Sequence, residues 1–106
     1  MTLYLMFERH TPENCPMFNE KSMKVWTQFN DNIDKLSKKH GIKMLGSWTI
    51  PNEHLTVDVI EAPSFEALTA LFMEPALLPL GSFESTEIKG AFSAEEVAKM
   101  VASAKK

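Results

Sequence analysis

The sequence predicts a single α+β domain whose elements run β-α-β-β-α-β, with one further helix at the C-terminal end. Three observations predict it. Apolar and polar residues alternate with a period of two in the segments that start at Leu3, Ile42 and His54. Apolar residues recur every three or four positions in the two stretches that follow Asn19 and Ser64. Proline, glycine and asparagine punctuate the boundaries between these stretches. Two right-handed crossovers interleaved by a hairpin then give a four-stranded antiparallel sheet, ordered 4-1-3-2, with both helices on one face.

Leu3, Leu5 and Phe7 alternate with Tyr4, Met6 and Glu8 to form a first strand, and the segment from His10 to Pro16 ends it because two prolines cannot continue a ladder. Asn19 is an N-cap, and Met23, Trp26, Phe29, Ile33 and Leu36 form one apolar stripe on a long helix. Gly41 closes that helix, with Lys38, Lys39 and His40 at the negative end of its dipole. Ile42, Met44, Gly46, Trp48 and Ile50 share one parity in a second strand. Pro51 to Glu53 is a polar turn, and His54 to Ala62 is the third strand. Pro63-Ser64 opens a second helix through Phe65, Leu68, Leu71 and Phe72, which Glu74-Pro75 ends. Ala76 to Leu80 is an apolar loop or single turn, Phe83 to Ile88 a fourth strand, and Ser93 to Glu96 a capping box before Val97, Met100 and Val101.

At 106 residues the chain has room for one domain and one core, residues 1–106. The 11 basic and 14 acidic residues are dispersed, and basic residues concentrate only at Lys38-Lys39 and Lys105-Lys106. No basic tract is interleaved with aromatics, so nucleic acid is not an expected partner. No apolar run approaches the ~20 residues of a membrane span, and the N-terminal segment lacks the pattern of a signal peptide. Cys15, the single cysteine, has no internal disulfide partner, which fits a reducing compartment. The expectation is a cytoplasmic protein with neither membrane nor nucleic-acid partners.

Sheet parity adds an expectation about surfaces. Leu3, Leu5, Phe7, Leu55, Val57 and Val59 should face the helices, leaving Tyr4, Met6, Glu8, Leu45, Ser47, Thr49, Thr56, Asp58 and Ile60 on the open face. A mixed open face of that kind suits a homodimer made by packing two sheets together around a partly wet cavity.

The segments HTPENCP, GSWTIPNEHLTVDVIEAPSFEAL and EIKGAFSAEEV are similar to those of a family of small prokaryotic proteins. The whole pattern resembles the dimeric α+β barrel superfamily of muconolactone isomerase-like proteins, antibiotic-biosynthesis monooxygenases and stress-responsive barrel proteins. The resemblance implies a ferredoxin-like fold that pairs into a barrel. It carries no catalytic residue from those enzymes onto a position of this chain, because the superfamily hosts unrelated chemistries.

The order 4-1-3-2 makes the first and third strands antiparallel neighbours, so the end of one lies beside the start of the other. His10 and His54 should therefore meet at one rim of the sheet, and the loop after His10 should bring Glu13, Cys15 and Met17 to the same place. Two imidazoles with a thiol nearby form a set that transition metals bind: zinc or copper through Cys15, iron or manganese through Glu8 or Glu13. No CxxC or HExxH spacing marks the set. Tyr4, Glu8, Trp48 and Asp58 are candidates for the wall of an adjoining ligand pocket, with Glu8 or Asp58 orienting an imidazole. His10 also fits a backbone hydrogen bond in its proline-rich turn, His54 an exposed hairpin residue, and Cys15 a small buried hydrophobe. Trp26, Phe29, Phe65, Leu68 and Phe72 sit at core spacing and are packing residues.

Three functions compete on these residues. The first is a homodimer that binds a metal or small ligand at the His10, Cys15 and His54 rim, with a histidine as ligand or as general base if the site is catalytic. The second is a dimeric protein-interaction module without catalysis. The third is a haem-binding barrel with one histidine as axial ligand.

Overall fold

The computed structural model describes residues 1–104, so Lys105 and Lys106 lie outside the described residues. The strands are β1 (Thr2–His10), β2 (Lys43–Ile50), β3 (Leu55–Ala62) and β4 (Glu84–Ala91). The helices are α1 (Glu20–Lys39), α2 (Phe65–Phe72) and α3 (Ala94–Ala104). The sheet order is β2-β3-β1-β4 with every pair antiparallel, which is the expected 4-1-3-2 order read from the other edge. The fold is the ferredoxin-like α+β arrangement. No described helix is long and apolar enough to cross a membrane.

Local signals in the sequence act where expected. The Asn19 side chain accepts a hydrogen bond from the Ser22 N–H at 3.0 Å and starts α1. Ser64 does the same for α2 through the Ala67 N–H. Ser93 and Glu96 cap α3 reciprocally, each bond 3.0 Å long. Gly41 takes a φ of +70° just past α1, the left-handed conformation that glycine enters without steric cost. Beside it, Lys39 Nζ and His40 Nε2 reach the same Glu74 oxygen at 2.9 and 2.7 Å, tying the end of α1 to the segment after α2.

The sheet is turned over relative to the expectation from parity. Tyr4, Met6, Ile60 and Ala62 are buried with Phe29 and Ile33 of α1 and Leu68 and Leu71 of α2. Glu8 and Asp58 are buried on that helix side too. Leu3, Leu5, Phe7, Val57 and Val59 are only half-buried, and they form the open face with Glu87 and Lys89 of β4. The Lys89 ammonium lies 5.7 Å from the centre of the Phe7 ring. Strict alternation cannot tell which of two apolar faces meets the helices when both β1 sets are apolar, and here the set containing Glu8 faces inward.

A second departure comes from β2. The register slips between Met44, which pairs with Ile60, and Gly46, which pairs with Val59. This bulge at Leu45 moves Met44 to the helix side and Trp48 to the open side, although the two share parity in the sequence. The Trp48 ring then lies over Gly46, where a Cβ would meet the indole at 2.3 Å. β3 begins one residue later than expected, and β4 runs past Ile88 to Ala91.

The assignment of faces can be checked with two adjacent substitutions. Ile60→Asn places an amide among Leu68, Leu71 and Met6 without a partner and should lower the free energy of unfolding by about 3 kcal/mol or more. Val59→Asn, on the open face, should cost about 1 kcal/mol or less to the fold of the monomer. Urea denaturation of both variants decides the matter, and the reverse ranking would restore the face assignment drawn from parity.

Candidate metal and ligand site

Three segments converge at one end of the sheet. β1 delivers His10 as its last residue, opposite Glu84 at the start of β4. The β2–β3 connection delivers His54, whose carbonyl accepts a hydrogen bond from the His10 N–H at 3.2 Å, extending the ladder by one rung. The loop from Thr11 to Asn19 delivers Cys15. Its carbonyl accepts from the Phe18 and Asn19 N–H groups at 3.0 and 2.8 Å, and the Asn19 amide donates to the Glu13 carbonyl at 3.0 Å. Pro12 and Pro16 limit the conformations of this loop further, so Cys15 is held by backbone constraints and is buried.

The side chains meet. His10 Nε2 and His54 Nδ1 are 3.3 Å apart with the rings nearly perpendicular. The ligand atoms of His10, Cys15 and His54 all lie within 4.8 Å of one another. Two nitrogens bound about 2.05 Å from a tetrahedral ion are separated by about 3.3 Å, so the imidazole spacing matches one edge of a zinc tetrahedron. His54 adopts φ 50° and ψ 43°, the one non-glycine residue among those described with positive φ. A β-carbon there costs about 1 kcal/mol relative to glycine. The fold carries this strain at a residue whose ring faces His10.

A cavity of about 850 Å³ opens directly over the three side chains. Its apolar wall is made by Met17, Phe18, Met23 and Trp26, and Thr49, Asn52 and Thr56 supply polar groups. The Thr49 and Thr56 hydroxyls are 3.3 Å apart across β2 and β3. No lysine or arginine lines it. Phe18 and Met17 are exposed and Trp26 is half-exposed, a concentration of apolar surface suited to a ligand rather than to water.

The remaining sequence candidates fall elsewhere. Glu8 and Asp58 lie deeper along the same side of the sheet, with Glu8 also lining a smaller cavity of about 280 Å³ beneath Leu77 and Leu80. Tyr4 is packed in the core, its ring 6.4 Å from that of Phe65. Trp48 projects from the opposite face and lines neither cavity. Glu13 is exposed, and hydrogen bonds from its own backbone N–H and the Thr11 hydroxyl hold its carboxyl below the ordinary range, with a smaller contribution from His54.

Glu84 was not legible as a site residue. Its carboxylate is 3.7 Å from His10 Nδ1, on the far side of the imidazole from His54, with both side chains nearly buried. The signal that finds it is register, since it pairs with His10 across β1 and β4. Met23 and Trp26 stand on the apolar stripe that the sequence predicts for α1, and the loop turns that end of the stripe into a cavity wall.

The acids form a chain from Asp58 through Glu8 to Glu84 and on to His10. Burial pushes the Glu8 carboxyl far above its ordinary value, and hydrogen bonds and repulsion from Asp58 and Glu84 push it the same way. Glu8 therefore keeps its proton at neutral pH. The buried Glu84 Oε2 lacks any other partner, and the Glu8 proton is what can satisfy it. Among the described residues, the acidic groups that act on Glu8 are Asp58 of β3 and Glu84 of β4.

A raised pKa in the folded state fixes the sign of the pH effect. The stability Glu8 contributes is complete below the ordinary carboxylate range, declines as the unfolded chain ionises, and is gone once pH passes the raised folded value. Glu8→Gln retains a donor and removes the ionisation. Relative to the parent, its stability should rise by on the order of 1–3 kcal/mol between pH 5 and pH 8. Parallel stability curves for the two proteins in urea denaturation would show that Glu8 ionises normally.

No protein-family model and no curated protein matches this chain. Solved structures do match in fold. An antibiotic biosynthesis monooxygenase superimposes with a TM-score of 0.58 at 12% identity, covering 89% of this chain and 99% of its own. A protein from Agrobacterium tumefaciens gives 0.57 at 18% identity, covering 89% and 94%. A NIPSNAP domain protein from Burkholderia xenovorans gives 0.54 at 12% identity, covering 89% and 96%. At these identities the likeness is one of fold, and it extends over nearly the whole of each chain.

Proposed function

We propose that this protein binds a transition metal, zinc before copper, through His10, Cys15 and His54, and presents it to a small neutral ligand in the adjoining cavity. The observation that carries this is the convergence of two nitrogens and one sulfur, from three separate segments, on the floor of a cavity. Three protein ligands with an open fourth position facing the cavity is the arrangement of an exchangeable rather than a closed structural metal site. The set suits a tetrahedral ion with nitrogen and sulfur ligands better than iron or manganese, because Glu8 and Glu13 are not among the converging ligands. Glu84 is placed to hold the His10 ring from behind, the role a carboxylate takes toward a metal-bound histidine.

The strained backbone of His54 supports the same reading. Glycine would be easier to accommodate at that φ, so the imidazole has a use that offsets the strain. The open sheet face supports self-association. Leu5, Phe7, Val57 and Val59 are too large an apolar surface to leave in water, and a second copy packed face to face would cover them.

The site is tested by equilibrating the protein with zinc, removing unbound ions and measuring metal content, with cobalt as a spectroscopic substitute. The parent should retain about one ion per chain and show a thiolate-to-cobalt charge-transfer band. His10→Ala and His54→Gly should each lower affinity by about 100-fold or more, and Glu84→Gln by roughly 10–100-fold. His54→Gly should do so while unfolding at equal or higher urea concentration than the parent, since it relieves the left-handed strain. Metal content unchanged in both histidine variants, or no ion in the parent, would remove this function.

A further inference from the structure

α3 is a well-capped helix that buries none of its residues against the described part of its own chain. Its 11 residues include none that is buried, and Val97, Met100 and Val101 form an apolar stripe left about half exposed, with Phe92 at its root. A helix this short is marginal in water unless its apolar side is covered. The chain is correspondingly elongated, with a radius of gyration of 15.8 Å and a longest extent of 57 Å. A compact chain of this length has a radius of gyration of about 13 Å.

α3 cannot close over its own metal-site cavity. It leaves β4 at Ala91, which pairs with Leu3 at the opposite end of β1 from His10. The strands are about 27 Å long and the helix about 16 Å, so it ends short of that rim.

A matching apolar surface lies at the other edge of the same sheet. On β2, Leu45, Trp48 and Ile50 are all exposed, with the Trp48 indole laid flat over Gly46. β2 and β4 are the two edges of the sheet, so α3 and these residues lie on opposite sides of one molecule. A two-fold axis running along the strands, between two open faces, sets β4 of each copy over β2 of the other. That rotation keeps the level along the strands, so each α3 leaves Ala91 beside its partner's Lys43, at the start of β2. Turned back along β2, its roughly 16 Å pass Leu45 and reach Trp48, and both apolar surfaces are covered twice by one symmetry operation. The area also calls for it. A four-stranded sheet of this length offers a footprint of roughly 500 Å², where a stable interface takes about 800 Å² from each partner.

We propose that α3 is an exchanged arm, which lies on the β2 edge of a second copy of this chain at Leu45 and Trp48. This rests on the pairing of open sheet faces, and extends it beyond β4.

The test uses the full-length protein and a Val97→Lys/Met100→Lys double variant. Because α3 buries nothing within its own chain, the variant should keep the parent's circular dichroism and urea midpoint at low concentration. In sedimentation velocity over a dilution series the parent should be a dimer and the variant's dissociation constant should rise by roughly tenfold or more. A mixed dimer of carbon-13-labelled and unlabelled chains should show nuclear Overhauser contacts from the Val97 methyls of one chain to Leu45 of the other, and from its Val101 methyls to the Trp48 ring. A dimeric parent whose affinity is unchanged in the variant, or one lacking those interchain contacts, would overturn the arm and leave the sheet pairing standing. A parent still monomeric at about 100 μM, where a micromolar dimer would be nearly complete, would overturn both.

Discussion

The antiparallel pairing of β1 with β3 is the constraint on which the rest depends. It runs from Thr2 opposite Ala62 to Arg9 opposite Leu55, and a further hydrogen bond joins the His10 N–H to the His54 carbonyl. Two residues 44 apart in sequence become neighbours because the ladder has this register. A slip by one residue would send every side chain to the other face and separate the imidazoles. The register is protected by burial, since Tyr4 and Met6 on one strand and Ile60 on the other must all remain against α1 and α2. The core thus specifies the geometry of the site without contributing a ligand to it.

Much of this was legible from the chain itself. Element order follows from periodicities and caps, and the meeting of His10 with His54 follows from element order by topology alone. Cys15 was legible because a loop leaving His10 through two prolines has little freedom to wander. Three things were hidden. The bulge at Leu45 shows no mark in the local alternation, yet it turns Trp48 away from the site it was expected to wall. The facing of the sheet was hidden because both sets of β1 side chains carry apolar residues, and an inward Glu8 contradicts the simple preference for burying the uncharged set. Glu84 depended on a β1–β4 register that no turn residue announces.

Glu8 explains why the contradiction is tolerable. A buried carboxylate alone would ionise at a large cost, but a carboxyl flanked by Asp58 and Glu84 holds its proton and acts as a hydrogen-bond donor. The inner face is therefore built to accept buried acids at the end nearest the histidines and apolar side chains at the other end. Strain at His54 and the buried acids Glu8 and Glu84 fall within one corner of the molecule. Local departures from the most stable choice concentrate where a site is assembled, while the half of the sheet under α2 follows the ordinary rules of packing.

The inward turn of Glu8 also separates the molecule's two surfaces. Had the parity expectation held, ligand site and sheet-pairing surface would have shared one face, and a second copy would have covered the histidines. With the sheet turned over, the His10, Cys15 and His54 cluster opens between α1, its loop and the β2–β3 connection, away from Leu5, Phe7 and Val59. Pairing through the open face then leaves the cavity accessible in each copy. The bulge contributes to the same division, because it moves Trp48 off the cavity side and onto the edge where a partner can meet it. One irregular residue in β2 and one acid in β1 thus decide together that the His10, Cys15 and His54 cluster and the half-buried apolar face lie on opposite sides of a four-stranded sheet.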